Sequence, residues 1–450
     1  MNALADPRQA EAFRFVRCSH HGGTVELVYA YDDGPELIER IRFPAAPALP
    51  PAREPAFAAA LHLLHWIAGI SYYKAGIPGR ILVEDALPDA DTAGLLDELY
   101  RHGLAEFAYR NGLELGQRIA FPHDGRASAP AAALALPRRT LVPIGGGKDS
   151  LVAVEALKTL GGDATAVWVG HSPLIAQCAE RTGLPTLNIG RELSPVLFEY
   201  NRMGAWNGHI PVTAVNSAIL VLAALLYGFD AIAFANERSA SAATLEYEGQ
   251  EVNHQWSKGY AFEQRLHEWL HRHVATDLDY FSLLRPFAEL GVTRAFARLG
   301  GEYFDAFSSC NRNFRIRGPR PADRWCGQCP KCHFVFLALA PFLPKPRLLA
   351  IFGRNLLDDE TQSVGFDALM EYRDHKPFEC VGEGDEARAA MYALSLRPEW
   401  REDALVARFV REIGPQLDAG NLALEPWLEA SGEHGIPARL AGALDAIRDA

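Results

Sequence analysis

The longest uninterrupted apolar run in the 450 residues is twelve, Ala218 to Phe229, and Asp230 ends it. A bilayer core needs about 20 helical residues, so a membrane span is excluded and the run reads as a buried helix. A basic excess is also lacking. Lys and Arg number 44 against 56 Asp and Glu, and the formal net charge of -12 repels a polyanion unless basic residues gather in one patch. Nucleic acid is therefore not the expected partner. The opening MNALADPRQAEAFRF has neither a basic stretch followed by an apolar one nor a small-residue cleavage site, so export is not expected. Cysteine is sparse and odd in number, seven, which suits no closed disulfide framework. A reducing cytoplasm fits these absences, and so does the absence of a fixed-period repeat or low-complexity tract. What remains is an ordinary globular composition, 49% hydrophobic and 22% charged, able to bury one large core or two to three smaller ones.

Two stretches rich in Pro and Ala, 44–55 and 128–137, carry neither helical nor strand periodicity and place a boundary near residue 138. Residues 1–137 mix alternating strand residues, Thr24 to Tyr29, with helical spacings at Leu61, Leu64 and Ile67 and at Leu95, Leu96 and Leu99. They read as a small α+β domain. From Thr140 the pattern becomes short apolar runs, Thr140–Ile144, Ala164–Val169, Thr186–Ile189 and Ala231–Phe234, separated by helical segments. Buried strands joined by helical crossovers imply an α/β domain over 138–340, a parallel sheet with helices on both faces. Pro341, Pro344 and Pro346 mark a second boundary. A helix-rich region follows over 341–450, with Leu405, Phe409 and Ile413 on one face.

The turn after the first strand of a doubly wound unit is where phosphate binds, and here that turn is Gly145-Gly146-Gly147. Three glycines remove the Cβ atoms that would hold an anion off the backbone N–H groups, and the next helix presents its positive end. Lys148 adds a cation and Ser150 a hydroxyl donor, while Asp149 can hold Mg²⁺ against the phosphates. A Walker A loop is excluded, because that motif needs Lys followed directly by Ser or Thr. The plainer alternative, a glycine turn with no ligand, explains neither the apolar strand before it nor Lys-Asp-Ser after it.

The segment resembles the PP-loop of the ATP pyrophosphatases, Ser-Gly-Gly-x-Asp-Ser, with Gly145 in place of the first Ser. That resemblance implies a five-stranded parallel sheet, cleavage of ATP between its α- and β-phosphates, and adenine held by main chain near Val169 and Gly170. A wider match is more specific. Ile144 to Ser150, Asn207-Gly208-His209-Ile210-Pro211-Val212-Thr213, Asn236 to Ser241, Val252-Asn253-His254-Gln255 and Lys376-Pro377-Phe378-Glu379-Cys380 resemble strings of the MurL-type epimerases of peptidoglycan synthesis. The family implies ATP- and Mg²⁺-dependent inversion of the terminal L-Glu of UDP-N-acetylmuramoyl-L-alanyl-L-glutamate. The chemistry is coherent. Deprotonating Cα beside an ionised carboxylate builds charge on charge, and a pyridoxal Schiff base needs a free amine that the dipeptide has already acylated. An acyl adenylate removes the carboxylate charge and lets the carbanion delocalise. The base and acid, on opposite faces of Cα, are not named by the sequence; His209, Glu237 and His254 are the candidates, each of which is also an ordinary capping or surface residue type.

Arg312, Arg315, Arg317, Arg320 and Arg324 fall within thirteen residues and suit a carboxylate or diphosphate, or simply an acidic surface. Cys326, Cys329 and Cys332, joined by Cys310, have the spacing of a tetrahedral Zn²⁺ site or of packed thiols. That spacing also resembles the zinc site of QueC-type nitrile synthases, a rival that adenylates a carboxylate and converts it with ammonia. An iron-sulfur tRNA thiolase is disfavoured by the net charge. A module that senses ATP without turnover is the reading from another class, opposed by Lys148, Asp149 and Ser150.

Overall fold

The computed structural model describes residues 4–449 apart from 117, 127–129, 248 and 316–318. Among them, β1 (Ala12–His21), β2 (Thr24–Tyr31) and β3 (Leu37–Arg42) form an antiparallel meander, and β4 (Arg80–Val83) joins the outer edge parallel to β1. After residue 138 come β5 (Arg139–Pro143), β6 (Asp163–Val169), β7 (Thr186–Glu192) and β8 (Ala231–Phe234). A short ribbon of β9 (Leu245–Tyr247) and β10 (Gln250–Val252) stands apart, and β11 (Asp279–Ser282) closes the series. The main sheet has nine strands in the order β11-β8-β5-β6-β7-β3-β2-β1-β4. Its first five are mutually parallel, the number that the phosphate-loop resemblance implies.

The parallel and antiparallel halves meet at β3 and β7, where Arg40, Ile41 and Arg42 pair with Glu192, Arg191 and Gly190. Glu39 is fully buried at this seam. Its carboxylate accepts from Arg191 Nε at 2.7 Å, and Arg191 also donates to Ser71 Oγ at 3.1 Å. A buried charge is tolerable only when paired in this way, and the pair locks the two halves in one register. The passage near residue 138 is thus where the chain leaves the antiparallel half and enters the parallel half of the same sheet.

Both faces of the parallel half are buried, which is why its strands read as continuous apolar runs. Ile232 and Phe234 of β8 face one core with the helices Glu54–Ala68 and Val212–Tyr227. Ala231 and Ala233 face the other, with the helices Lys148–Lys158, Glu289–Leu299 and Pro330–Leu339. The helix Val212–Tyr227 holds all but the last two residues of the longest apolar run and is buried on nearly every side; Gly228, at φ +74°, ends it in a left-handed conformation that disfavours other residues. No helix among the described residues is long and apolar enough to cross a membrane. Toward the C-terminus Pro346 sits in the first turn of the helix Lys345–Phe352, and Leu405, Phe409 and Ile413 all reach the second core. The helix Ala404–Arg408 passes there into a π-helical turn.

Candidate functional site

The parallel strands run, in space, third, second, first, fourth and fifth, so the order reverses between β5 and β8. A crevice opens beyond the carboxyl ends of strands at such a point. The glycine turn lies there, followed by the helix Lys148–Lys158, whose N-cap is Gly147. Gly146 has φ +80°, a left-handed conformation that other residues adopt only with strain, while a Cβ there would meet Ile175 and the Ser308 carbonyl at no less than 3.4 Å, ordinary contact distance. Ser308 N–H donates to the Gly146 carbonyl at 2.9 Å and pins the turn from outside.

The crevice is a cavity of about 300 Å³. Gly145, Gly147, Asp149 and Ser150 form its floor, Trp168 and Val169 one wall, Thr213 and Asn216 another, and Lys258, Ser309, Lys331 and Cys380 the rest. Val169 is therefore where the resemblance put adenine contacts. Gly170 is not in the wall; its N–H donates to the Ile189 carbonyl at 2.8 Å. Burial works against ionisation of Asp149, but the Lys148 ammonium, then those of Lys331 and Lys258, outweigh it and lower the pKa. The carboxylate is ready to hold a cation.

Lys148 does not face this cavity. Its side chain is only 3% exposed, hydrogen-bonded to Asp149 Oδ1 at 2.5 Å and to the buried Glu289 carboxylate. Lys148, expected as a phosphate-binding cation, is thus engaged by two carboxylates and is not among the lining residues, whereas the ammonium-bearing Lys258 and Lys331 are. Lys258 follows the Val252 to Gln255 string by three positions, and Lys331 sits inside the cysteine motif, signals that were present without pointing to phosphate.

None of the three base candidates lines the cavity. Glu237 is buried and caps a 3₁₀ turn, accepting from Ala240 N–H at 2.7 Å. Burial, then the charges of Glu289 and Asp149, push its pKa up to about 8. His209 and His254 stack with ring centroids 4.2 Å apart. Burial and the neighbouring His254 push His209 down to about 3, so it is neutral. For His254, burial is outweighed by hydrogen bonds to Cys380 and Glu106, and the pKa rises to about 9. Its Nδ1 lies 2.5 Å from Glu106 Oε2. Glu106, His209 and His254 offer ligand atoms within 4.8 Å of one another. A metal bonded to both Nδ1 and Oε2 at about 2 Å would need them farther apart than 2.5 Å, so Glu106 and His254 stand as a hydrogen-bonded pair, with His209 Nδ1 3.8 Å from the same carboxylate oxygen.

Cys310, Cys326, Cys329 and Cys332 do converge. The sulfur separations are 3.7 Å for Cys326 to Cys332, 3.9 Å for Cys329 to Cys310 and 3.5 Å for Cys329 to Cys332. A tetrahedral Zn²⁺ with Zn–S bonds of about 2.3 Å places its sulfurs about 3.8 Å apart, so the four thiols fit that ion and are too distant for disulfides. The cluster abuts the cavity, because Ser309 and Lys331, each beside one of the cysteines, are in its wall.

Arg312 and Arg315 line a separate depression with Arg320 and Asp323; Arg312 donates to Gln328 at 2.9 Å. The structure does not bring them to the phosphate turn, and Arg317 lies outside the described residues. Another depression, of about 390 Å³, adjoins the glycine-turn cavity. Pro330 and Glu379 line it, while their chain neighbours Lys331 and Cys380 line the cavity.

Residues 4–283 match the family model described as the MurL N-terminal domain, and residues 306–423 that of the MurL C-terminal domain. A protein of Xanthomonas oryzae pv. oryzae (strain MAFF 311018), called UDP-N-acetyl-alpha-D-muramoyl-L-alanyl-L-glutamate epimerase, is 60% identical over 97% of both chains. Proteins of the same name from Salinispora tropica and a Micromonospora species are each 40% identical; they cover 98% and 97% of this chain, which spans 97% and 98% of theirs.

Proposed function

The chain belongs to the MurL family, and on that premise we propose that it epimerises the terminal L-Glu of UDP-N-acetylmuramoyl-L-alanyl-L-glutamate to D-Glu, cleaving ATP to AMP and pyrophosphate. The observation that carries the reading is the shared cavity: the glycine turn, Asp149 and Ser150 stand in the same walls as Lys258 and Lys331. A phosphate-binding turn, a carboxylate for Mg²⁺ and two ammonium groups are what transfer of AMP to a carboxylate requires.

ATP lies with its phosphates over Gly145 to Gly147 and its base toward Trp168 and Val169. Asp149 would hold Mg²⁺, which when bound would supply neutralisation of phosphate charge. Lys258 and Lys331 offset the charges of substrate carboxylate and triphosphate in one small volume. The adjoining depression, with Tyr109, Arg110 and Phe378 in its wall, accommodates the remainder of the substrate beyond the glutamate. The four-cysteine cluster holds one Zn²⁺ and fixes Ser309 and Lys331 against the phosphate turn. Zinc has no role in the chemical step in this account.

Incubation with ATP, Mg²⁺ and the UDP-linked L-Glu dipeptide tests the reading. AMP, pyrophosphate and a D-Glu product are expected. ADP and phosphate as the main products would remove the adenylation step, and no nucleotide cleavage in either the presence or absence of the dipeptide would leave an ATP sensor.

A further inference from the structure

Cys380 is placed in the cavity that the three sequence-derived base candidates do not reach. It lines the same walls as Asp149 and Ser150. Lys258 Nζ donates to its sulfur at 3.1 Å, and the His254 imidazolium acts on it as a neighbouring positive charge. Behind His254 stands Glu106, with Oε2 2.5 Å from Nδ1. Carboxylate, imidazolium, thiolate and ammonium therefore alternate in sign across the site.

The other charged neighbours are Lys331 and Glu379, and the second is held by Asn311. Burial alone would push the thiol up, as it pushes Cys18 to about 12 and Cys178 to about 11. At Cys380 the Lys258 ammonium, followed by His254 and Lys331, reverses that effect and holds the thiol well below its ordinary value. An ionised sulfur beside the phosphate turn is not a packing thiol.

We propose that Cys380 is the catalytic residue that removes the α-proton of the adenylated glutamate; this rests on the adenylation reading above. Asp149 is committed to the metal, His254 already carries its proton, and Glu237 is turned into a 3₁₀ cap, so the thiolate is the basic group left facing the cavity. In the step the Cα–H bond breaks and an S–H bond forms, while the electron pair moves onto the acyl oxygen as an enolate. A second donor, in exchange with solvent, returns a proton to the opposite face as the enolate carbonyl re-forms. Cys380 then releases its proton to solvent, so one proton leaves and one arrives at Cα, and water hydrolyses the acyl adenylate to the D-Glu carboxylate and AMP.

The test separates the two half-reactions in full-length protein. With the UDP-linked L-Glu dipeptide in D₂O, Cys380→Ala is expected to keep dipeptide-dependent AMP and pyrophosphate formation within about tenfold of the parent while losing Cα deuteration and inversion by about 10²-fold or more. If the parent itself makes no D-Glu, the epimerase reading fails and this inference falls with it. Should Cys380→Ala fold and adenylate yet still deuterate Cα at the parent rate, the inference is overturned. An acyl-enzyme on Cys380, trapped by acid quench and seen by intact mass, would overturn it too by showing nucleophilic capture in place of proton transfer. If the variant does not fold, the parent decides. Iodoacetamide should alkylate Cys380 at a rate already at its plateau at neutral pH, with inversion lost in step while adenylation survives. Alkylation of Cys380 that leaves inversion intact contradicts the assignment.

Discussion

The two sides of the glycine-turn cavity are built in opposite ways. Its floor is Gly145, Gly147, Asp149 and Ser150, drawn from one run of six residues whose turn and helix N-terminus fix their positions. The opposite wall and its support come from Glu106, His254, Lys258, Lys331 and Cys380, contributed by four separate segments. A contiguous site survives as a readable string; a discontinuous one exists only after folding. The contrast also predicts different failures. A change in the floor acts on nucleotide chemistry at once, whereas a change in the wall acts through what it positions.

The sharpest way to break the comparison is Asp149→Ala. Loss of the metal-binding carboxylate is expected to lower AMP formation by about 10³-fold or more, since neutralising phosphate charge is worth several kcal/mol. Thermal melting should be little changed, because the side chain is not part of either core. Unchanged AMP release would remove Asp149 from the site.

Lys148, one residue earlier, should behave differently. Lys148→Met leaves Glu289 buried without its partner, and breaking a buried pair in this way costs about 3–5 kcal/mol of stability. Denaturant unfolding is the measurement. A variant as stable as the parent but unable to bind ATP would mean that Lys148 reaches the phosphates after all.

The zinc proposal sharpens the comparison from the wall side. Metal analysis should find about one Zn²⁺ per chain in the parent and little in Cys329→Ser. Because Ser309 and Lys331 would then lose their fixed placement, turnover is expected to fall by about 10²-fold, the size of effect that an ångström of misplacement produces. Full turnover in metal-free protein would make the cluster a set of packed thiols.

Smaller still is the effect of pH on the Glu106 and His254 pair. His254 has its pKa raised to about 9 in the fold. Its charge is therefore present below that value and is lost as pH rises through it. Inversion should decline above about pH 9, and Glu106→Gln, which removes one of the hydrogen bonds that raise it, should move that decline downward toward the ordinary histidine range near 6.5. A pH profile of inversion, with adenylation measured in parallel, checks it. An alkaline limb that stays in place in Glu106→Gln would show that His254 is not coupled to the thiolate.

Much of the floor was legible because period and turn chemistry are local. The β8 strand has the bounds its apolar run suggests, Ala231–Phe234, and β5, β6 and β7 differ by a few residues at their ends. The helix after the glycine turn begins at Lys148 itself, so the residue whose type best suits phosphate is the one whose direction points away from it. Nothing in the residue string encodes that rotation. The strands of the antiparallel half were only partly visible, and the seam at Glu39 and Arg191, separated by 152 positions, could not be anticipated from either segment. Cys380 lies within one of the family-like strings, but nothing local marks its thiol, since its character comes from Lys258 and His254, both more than 120 residues earlier.

The measurement that tests the central claim most directly is isotope exchange at Cα of the substrate glutamate in D₂O, with and without ATP. The account predicts a D-Glu product carrying deuterium at Cα only when ATP is present, formed in step with AMP. Exchange or inversion without ATP, or a D-product that keeps its original proton while AMP accumulates, would contradict it.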